Sequence, residues 1–476
     1  MDIILRQGFG LVLSIILARL LAPEDFGVLA MLSLFVGVAA VFVDSGFGSA
    51  LIQRQIITRE DTSSVFYFNI GSALIMALLL AAAAPYIAAF YRMPILKALT
   101  WVMAFNLFLG SFRSIQSVLM TKELNFRTKM KVSFGATIIS GGAGIVLAWR
   151  GWGVWSLAIQ TVVSTFVVVL LYWILSPWRP GFCFSLASLR SLFRYGSFMS
   201  LSSLLDIAST RLNSLVIGRV FSARDLGLYT RADNIQQMPT GSISALLGSV
   251  SFPVFSAAAA GEPEALRRVA RKALTAIMLV NTPIMFGILA TAHPLVHVLF
   301  GEKWLPCVPF LQVLSLAGVF WPLHVINLNL VMSRGRSDLF FRLQIMKEAV
   351  SLTFLLIAAQ ISMMAIAWSQ LLLGFIGYFI NASYSGRLAS YPIKEQLRDM
   401  CPYVAVSGVM LAGAWSLTLW RSLPPALLLS LQTTVGGGIY VLLCYLFKVP
   451  AFHDVVGRLK VVLAERGFPL ELRQSV

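Results

Sequence analysis

The chain has 476 residues, of which 58% are hydrophobic and only 12% charged, and its mean hydropathy is +0.82. A soluble domain carries about a quarter charged residues, so the composition excludes an ordinary globular protein and selects the polytopic helical membrane class. The net charge of +17 comes from Lys and Arg scattered between apolar runs rather than gathered on one face, which excludes a nucleic-acid binder.

Apolar runs long enough for a bilayer of roughly 30 Å recur from end to end. Breaks at charged or Pro/Gly-rich points predict fourteen helices, near 3–21, 28–47, 63–90, 96–119, 130–149, 152–175, 194–218, 232–256, 273–300, 305–331, 340–359, 361–385, 400–420 and 424–447. The N-terminus reads as the first spanning helix and not as a secretory signal, because Arg6 interrupts the run and no clean cleavage site follows. After Pro450 the pattern Val455, Val456, Leu459, Val462, Leu463 with interleaved basic residues predicts a short interfacial amphipathic helix.

Lys and Arg alternate across the connections. Even-numbered loops and the tail hold 24, odd-numbered loops hold seven, and six fall within or at the ends of the predicted helices. That alternation places both termini in the cytoplasm, with every connection too short for an extramembrane domain.

The sequence also repeats itself. Arg19, Asp25 and Gly27 return as Arg219, Asp225 and Gly227, and Leu119-Met-Thr-Lys122 is echoed by Val331-Met-Ser-Arg334. Both echoes map helix n onto helix n+6, which is a parallel duplication. The expected domains are an N-terminal lobe (1–177), a C-terminal lobe (178–393), two further helices (394–447) and a cytoplasmic or interfacial tail (448–476).

Chemistry-bearing motifs are few. Cys183, Cys307, Cys401 and Cys444 lie far apart and read as small apolar fillers. His293 and His297 flank Pro294, lack a third ligand and read as a helix start rather than a metal pair. Gly141-Gly-Ala-Gly144 has no preceding strand or following Lys, so it reads as close helix packing, and the chain has no Walker motif. No catalytic residue, metal or cofactor is expected.

Ionisable groups at bilayer depth cost roughly 2.5–3.5 kcal/mol each and normally face a cavity or a partner. Asn106, Gly110, Arg113 and Ser117 fall on one stripe of helix 4, with no acid within a turn of Arg113. A lone guanidinium there invites an anion, and its fork suits phosphate. Asp206, Thr210 and Asn213 form a stripe on helix 7 with Arg211 beside it. Helix 8 opens with Arg231, Asp233, Asn234 and Gln237, and helix 10 carries His324, Asn327 and Asn329. Asp206–Arg211 and Lys347–Glu348 have a competing reading as structural pairs, and Arg231 as a snorkelling terminal residue. The excess of arginine over carboxylate points to an anionic cargo.

The stretches Leu17–Gly27, Val43–Gln53 and Val65–Asn69 resemble Wzx-type polysaccharide exporters, the O-antigen and colanic-acid flippases of the multidrug/oligosaccharidyl-lipid/polysaccharide superfamily. Gly151–Leu157, Trp178-Arg-Pro180, Gly301–Pro306, Ile326–Asn329 and Gly335–Asp338 are similar to the same family, in the same order. The family's first helix usually starts further upstream than Met1. The resemblance implies two six-helix lobes in a V around a cationic cavity and a non-enzymatic transporter of the bacterial inner membrane. Its cargo would be an undecaprenyl-diphosphate-linked oligosaccharide for O-antigen, exopolysaccharide or capsule, flipped towards the periplasm by cation- or potential-driven alternating access. Arg113, Arg211, Arg231 and Arg6 would meet the diphosphate, and Asn106, Asn213, Asn327 and Asn329 the sugars. Asp44, Asp206 and Asp233 would be the candidate coupling carboxylates. The partners would be the lipid-linked oligosaccharide, membrane lipids, a polymerase and glycosyltransferases. A lipid II or multidrug exporter of the same superfamily would share the fold, although a drug exporter should favour carboxylates over arginines. A membrane polymerase or glycosyltransferase would need a larger periplasmic loop.

Overall fold

A computed structural model describes the backbone of residues 2–261, 263–419 and 423–465. Among them the elements are helical throughout. In chain order they are α1 (Asp2–Leu20), α2 (Pro23–Met31), α3 (Ser33–Asp44), α4 (Phe47–Gln53), α5 (Arg59–Tyr91), α6 (Ile95–Ser111), α7 (Ser114–Lys122), α8 (Phe126–Trp149), α9 (Val154–Leu175) and α10 (Leu186–Val220). There follow α11 (Ala223–Ala259), α12 (Pro263–Phe300), α13 (Val308–Gly318), α14 (Trp321–Ser333), α15 (Ser337–Ile361), α16 (Met363–Leu388), α17 (Ile393–Ser416), α18 (Pro425–Leu446) and α19 (Pro450–Glu465).

Each of the fourteen expected segments has a helical counterpart. Eight described segments are long and apolar enough to cross a bilayer. Two more reach that length only as bent pairs, α2 with α3 (40°) and α6 with α7 (46°). The counterparts of helices 7, 8 and 11 (α10, α11 and α15) are long but carry polar stripes, and the apolar part of α1 covers only Gly8–Leu20. Leu74, Ile75, Leu78 and Leu79 on α5 are exposed. Such a face suits lipid, since hydrocarbon is as apolar as leucine and close packing rather than the hydrophobic effect then holds helices together.

The chain forms two compact units, Met1–Thr230 and Arg231–Val476. In the first, α10 packs on α3, α4 and α5. Its backbone meets the turn after α3, where Ser45 (φ 47) and Gly46 (φ 68) are left-handed. A Cβ on Gly46 would lie 2.1 Å from the Gly196 carbonyl oxygen, so only glycine fits that turn. The lobe boundary expected at 177/178 rests on the repeat, whereas these units follow packing, and packing keeps the seventh span with the first unit. Gly141 also packs as expected: a Cβ there would lie 2.3 Å from Leu13 Cδ1.

In the second unit, Phe255, Leu274, Met278, Leu323, Ile326 and Tyr378 form a buried core around α12. The last two spans are fastened to the same helix. Tyr440 Oη donates to the Leu279 carbonyl at 2.8 Å, and Arg267–Glu395 and Arg271–Asp399 bridge α12 to α17 at 2.6 and 2.5 Å. The helix start expected at Pro294 does not occur, because α12 runs through Pro283 and Pro294. From Pro450 to Glu465 the backbone is helical, as the tail pattern predicted.

The duplication is visible in the packing. In the first unit, a Cβ on Gly27 would lie 1.7 Å from the Ala223 carbonyl oxygen, and one on Gly227 would lie 1.9 Å from that of Pro23. The two copies of the Asp-x-Gly motif therefore touch backbone to backbone, reciprocally. Each aspartate serves its own helix start: Asp25 accepts from the Ala22 amide (2.9 Å), and Asp225 from the Ser222 amide and hydroxyl (3.2 and 2.6 Å). The second echo is equivalent too. Lys122 donates to carbonyls of Leu51, Arg54 and Gln55 at the end of α4, and Arg334 donates to that of Ala259 at the end of α11.

Candidate functional site

The fourth span was expected to be one helix, and it is broken at Phe112–Arg113. Ser111 Oγ turns back to the Phe108 carbonyl (2.7 Å), and the next two amides reach only three residues back, Phe112 to Leu109 (3.4 Å) and Arg113 to Gly110 (3.3 Å). The Phe112 carbonyl, freed from the helix, accepts from Trp173 Nε1 at 3.0 Å. Asn69 on α5 is 1% exposed and donates to Ser114 Oγ at 3.2 Å, where α7 begins. The break is thus held by two side chains of neighbouring helices, as irregular backbone at membrane depth requires.

Arg113 sits at the N-cap of α7, exposed, with no ion pair among the described residues. A guanidinium with free donors at the positive end of a half-helix makes an electropositive step in the span. The tenth span repeats the design: Asn281 donates to the carbonyls of Gly318 and Val319 (3.1 and 3.3 Å), where α13 gives way to α14. Asn69 to Asn281 is the same 212-position offset as Lys122 to Arg334.

The other expected residues are placed as follows. Asn106, half-buried on α6, has a buried Oδ1 with no partner. Asp206 and Arg211 on α10 are both exposed and form no ion pair; five residues apart, they point to different sides of the helix. Asn213 is half-buried on the same helix. Arg231 does not snorkel. It is 6% exposed, with its guanidinium 5.0 Å from the Phe300 ring centre and 4.8 Å from that of Trp304, a cation held between aromatics inside the second unit.

Asn327 and Asn329 were expected to meet sugars and instead tie helices together. Asn327 donates to the Leu323 carbonyl (3.0 Å) and accepts from Ser385 (2.6 Å), while Asn329 donates to Ser251 (2.7 Å). Their chemistry looked right because an amide that binds a hydroxyl of sugar binds a hydroxyl of serine equally well. The side chain of Arg6 lies outside the described residues.

Of the carboxylates, Asp44 accepts backbone amides of Gly46 and Gly48 in the α3–α4 turn, and Asp233 accepts from Gln237 at 2.8 Å. No ion pair joins Lys347 to Glu348; Glu348 accepts from Gln344 (3.1 Å), and His324 meets Asn381 at 3.1 Å. Among the described residues no cluster of His, Cys, Asp or Glu could hold a metal. Asn69 and Trp173, which hold the break, were not singled out from the sequence. The only signal for Asn69 was its place in Val65–Asn69, and for Trp173 there was none.

The model of the polysaccharide biosynthesis protein family matches residues 16–309. The teichuronic acid biosynthesis protein TuaB of Bacillus subtilis (strain 168) is 28% identical over 423 residues, 86% of this chain and 85% of that protein. The lipopolysaccharide biosynthesis protein WzxC of Escherichia coli (strain K12) is 26% identical over 358 residues, 75% of this chain and 72% of that one. Among solved structures, the lipid II flippase MurJ in an inward closed conformation superposes with a TM-score of 0.76 at 14% identity, covering 96% of this chain and 98% of that one. An inward-facing multidrug resistance MATE family transporter gives 0.63 at 18% identity, covering 81% and 96%. At those identities the structural likeness carries the fold, which is that of the multidrug/oligosaccharidyl-lipid/polysaccharide flippases. The chain is a multi-pass membrane protein that belongs to the polysaccharide biosynthesis protein family, among the Wzx-type polysaccharide exporters.

Proposed function

We propose that this protein flips an undecaprenyl-diphosphate-linked oligosaccharide from the inner to the outer leaflet of a bacterial cytoplasmic membrane, by alternating access and without covalent chemistry. The relatives are named for teichuronic acid and lipopolysaccharide biosynthesis, both of which are surface glycans. The alternation of basic loops supports cytoplasmic termini. The observation that carries the reading is Arg113, an exposed guanidinium at a helix break with no ion pair among the described residues. It offers two parallel donors to a phosphoryl group. Arg211, also exposed and unpaired, is a second basic group for the headgroup. Arg231 has a structural role in this reading, held between its two rings. Asp206 is the carboxylate best placed to couple to a cation gradient, because Asp44 and Asp233 already accept other bonds.

The test is complementation of a deletion strain. Arg113→Ala should abolish surface polysaccharide while the protein stays in the membrane at normal level, lipid-linked precursor should accumulate in the inner leaflet, and Arg113→Lys should retain part of the export. Unchanged export by Arg113→Ala would remove Arg113 from the cargo site.

A further inference from the structure

Arg113 is not the only cation on its face of α7. Arg113, Ser117 and Thr121 recur at intervals of four and so share one stripe of that helix. Lys129, in the first turn of α8, lays its ammonium on the same stripe, donating to Thr121 Oγ1 at 2.6 Å. Thr121 in turn donates to the Ser117 carbonyl at 2.8 Å, and Lys129 lies close enough to Arg113 for the two charges to act on each other.

Neither cation forms an ion pair among the described residues, and Asp44, whose carboxylate lies near Val118 of α7, is taken up by the Gly46 and Gly48 amides. Glu123, the nearest in sequence, is exposed and forms no ion pair among the described residues, while Asp61 is engaged by Arg54 at 3.3 Å. One turn on from Arg113, the Gln116 side chain is 0% exposed, and neither of its amide atoms has a hydrogen-bond partner. Two like charges sharing a helix face repel one another, and an anion between them reverses the sign of that interaction. The positions are graded in depth. Lys129 lies beside the loop that the charge count assigns to the cytoplasm, and Arg113 lies nine residues, about 13 Å, back along α7 from its end at Lys122.

We propose that Arg113 and Lys129 form one two-pronged site for a diphosphate, with Lys129 at the cytoplasmic mouth and Arg113 deeper, Ser117 lying between them. This deepens the flippase reading and rests on it: the site takes the polyprenyl diphosphate headgroup, and a monophosphate fills only one prong.

The experiment uses the full chain in lipid nanodiscs. It measures binding of labelled polyprenyl diphosphate and of polyprenyl monophosphate, with inorganic pyrophosphate as competitor. Wild type should prefer the diphosphate by about tenfold or more, the scale of one charge-assisted contact. Lys129→Gln should lose about tenfold in diphosphate affinity and change monophosphate affinity less than about twofold, with Lys129→Arg restoring the preference. Arg113→Ala should weaken both lipids. Pyrophosphate should displace the diphosphate lipid, and less well from Lys129→Gln.

Wild-type diphosphate affinity in a Lys129→Gln protein of unchanged melting temperature would overturn the proposal. So would equal weakening of both lipids, which would mean a diffuse field rather than a second prong. Pyrophosphate that binds without displacing the lipid would mark a free-anion site and overturn the headgroup assignment. The flippase reading itself fails by a different result: a wild-type chain that binds no polyprenyl lipid, together with normal glycan export by Arg113→Ala.

Discussion

A single methyl group at Gly27 should force the two copies of the internal motif apart. In Gly27→Ala the new Cβ would sit 1.7 Å from the Ala223 carbonyl oxygen, 2.7 Å from the carbonyl carbon and 2.9 Å from the Gly227 amide nitrogen. These are backbone atoms, so no rotamer change relieves the overlap, and the starts of α2 and α11 must separate by more than an ångström. Overpacking of this kind costs about 1–3 kcal/mol. The helix propensity gained in replacing glycine by alanine returns up to about 1 kcal/mol. The net expectation is a loss of roughly 1–2 kcal/mol.

The geometry also supplies its own controls. Gly227→Ala meets the Pro23 carbonyl oxygen at 1.9 Å and should cost about as much, whereas Gly142 in α8 has nothing within 4 Å, so Gly142→Ala should be neutral or mildly stabilising. Because both clashes are relieved by the same separation, the double variant should lose clearly less than the sum of the singles. Thermal unfolding of the purified protein in one detergent reads all four. A wild-type melting temperature for Gly27→Ala would refute the close approach, and full additivity in the double variant would refute the shared contact.

Two further substitutions test the buried polar groups. Arg231→Ala empties the space between Phe300 and Trp304 and should cost about 2–4 kcal/mol, each desolvated cation–π contact being worth about 2; Arg231→Lys, lacking the planar face, should recover only part. An unchanged melting temperature for Arg231→Ala would instead leave the cargo role open. Asn281→Ala leaves two buried carbonyls without a donor and should lower stability by about 1–3 kcal/mol, and Asn281→Asp, which turns the donor into an acceptor, should lower it more. Equal stability of the two variants would show that those bonds do not hold the break.

The spans were legible because a bilayer demands length and apolarity, which can be read along the chain without knowing what packs on what. The duplication was legible for a related reason. Asp25 and Asp225 cap their own helices, so their role depends on neighbours three residues away. The breaks were not. The local signal at Phe112 is slight, a serine bonding back to its own helix, and the bend is stabilised by Trp173 and Asn69, whose partners Phe112 and Ser114 are 61 and 45 residues distant.

The same distinction separates the polar residues by where their partners lie. Arg113 has no acid one turn away in sequence and forms no ion pair among the described residues, so the two views agree on its lack of a partner. Arg231 looked like a group near a headgroup because its aromatic partners lie about seventy residues on, at Phe300 and Trp304. The partners of Asn327 and Asn329 are hidden in the same way, since Ser385 and Ser251 are invisible from their own helix.

The repeat adds an asymmetry that bears on mechanism. Both halves break a span and clamp it with an asparagine, yet among the described residues only the first copy leaves a cation exposed at the break. In the second, α14 carries His324 near the position that Arg113 holds on α7, and its imidazole is bonded to Asn381 at 3.1 Å and to the Gly374 backbone. The first copy therefore presents an exposed cation, whereas in the second the imidazole is bonded within the protein and the one cation beside it, Lys347, is half-buried. A duplicated fold that bound a symmetric cargo would have reason to keep both sites alike. A lipid-linked oligosaccharide is not symmetric, because one end is a compact doubly charged headgroup and the other a neutral or weakly charged glycan. Divergence of the two breaks, one with an exposed guanidinium and one with a bonded imidazole, is what such a cargo would select.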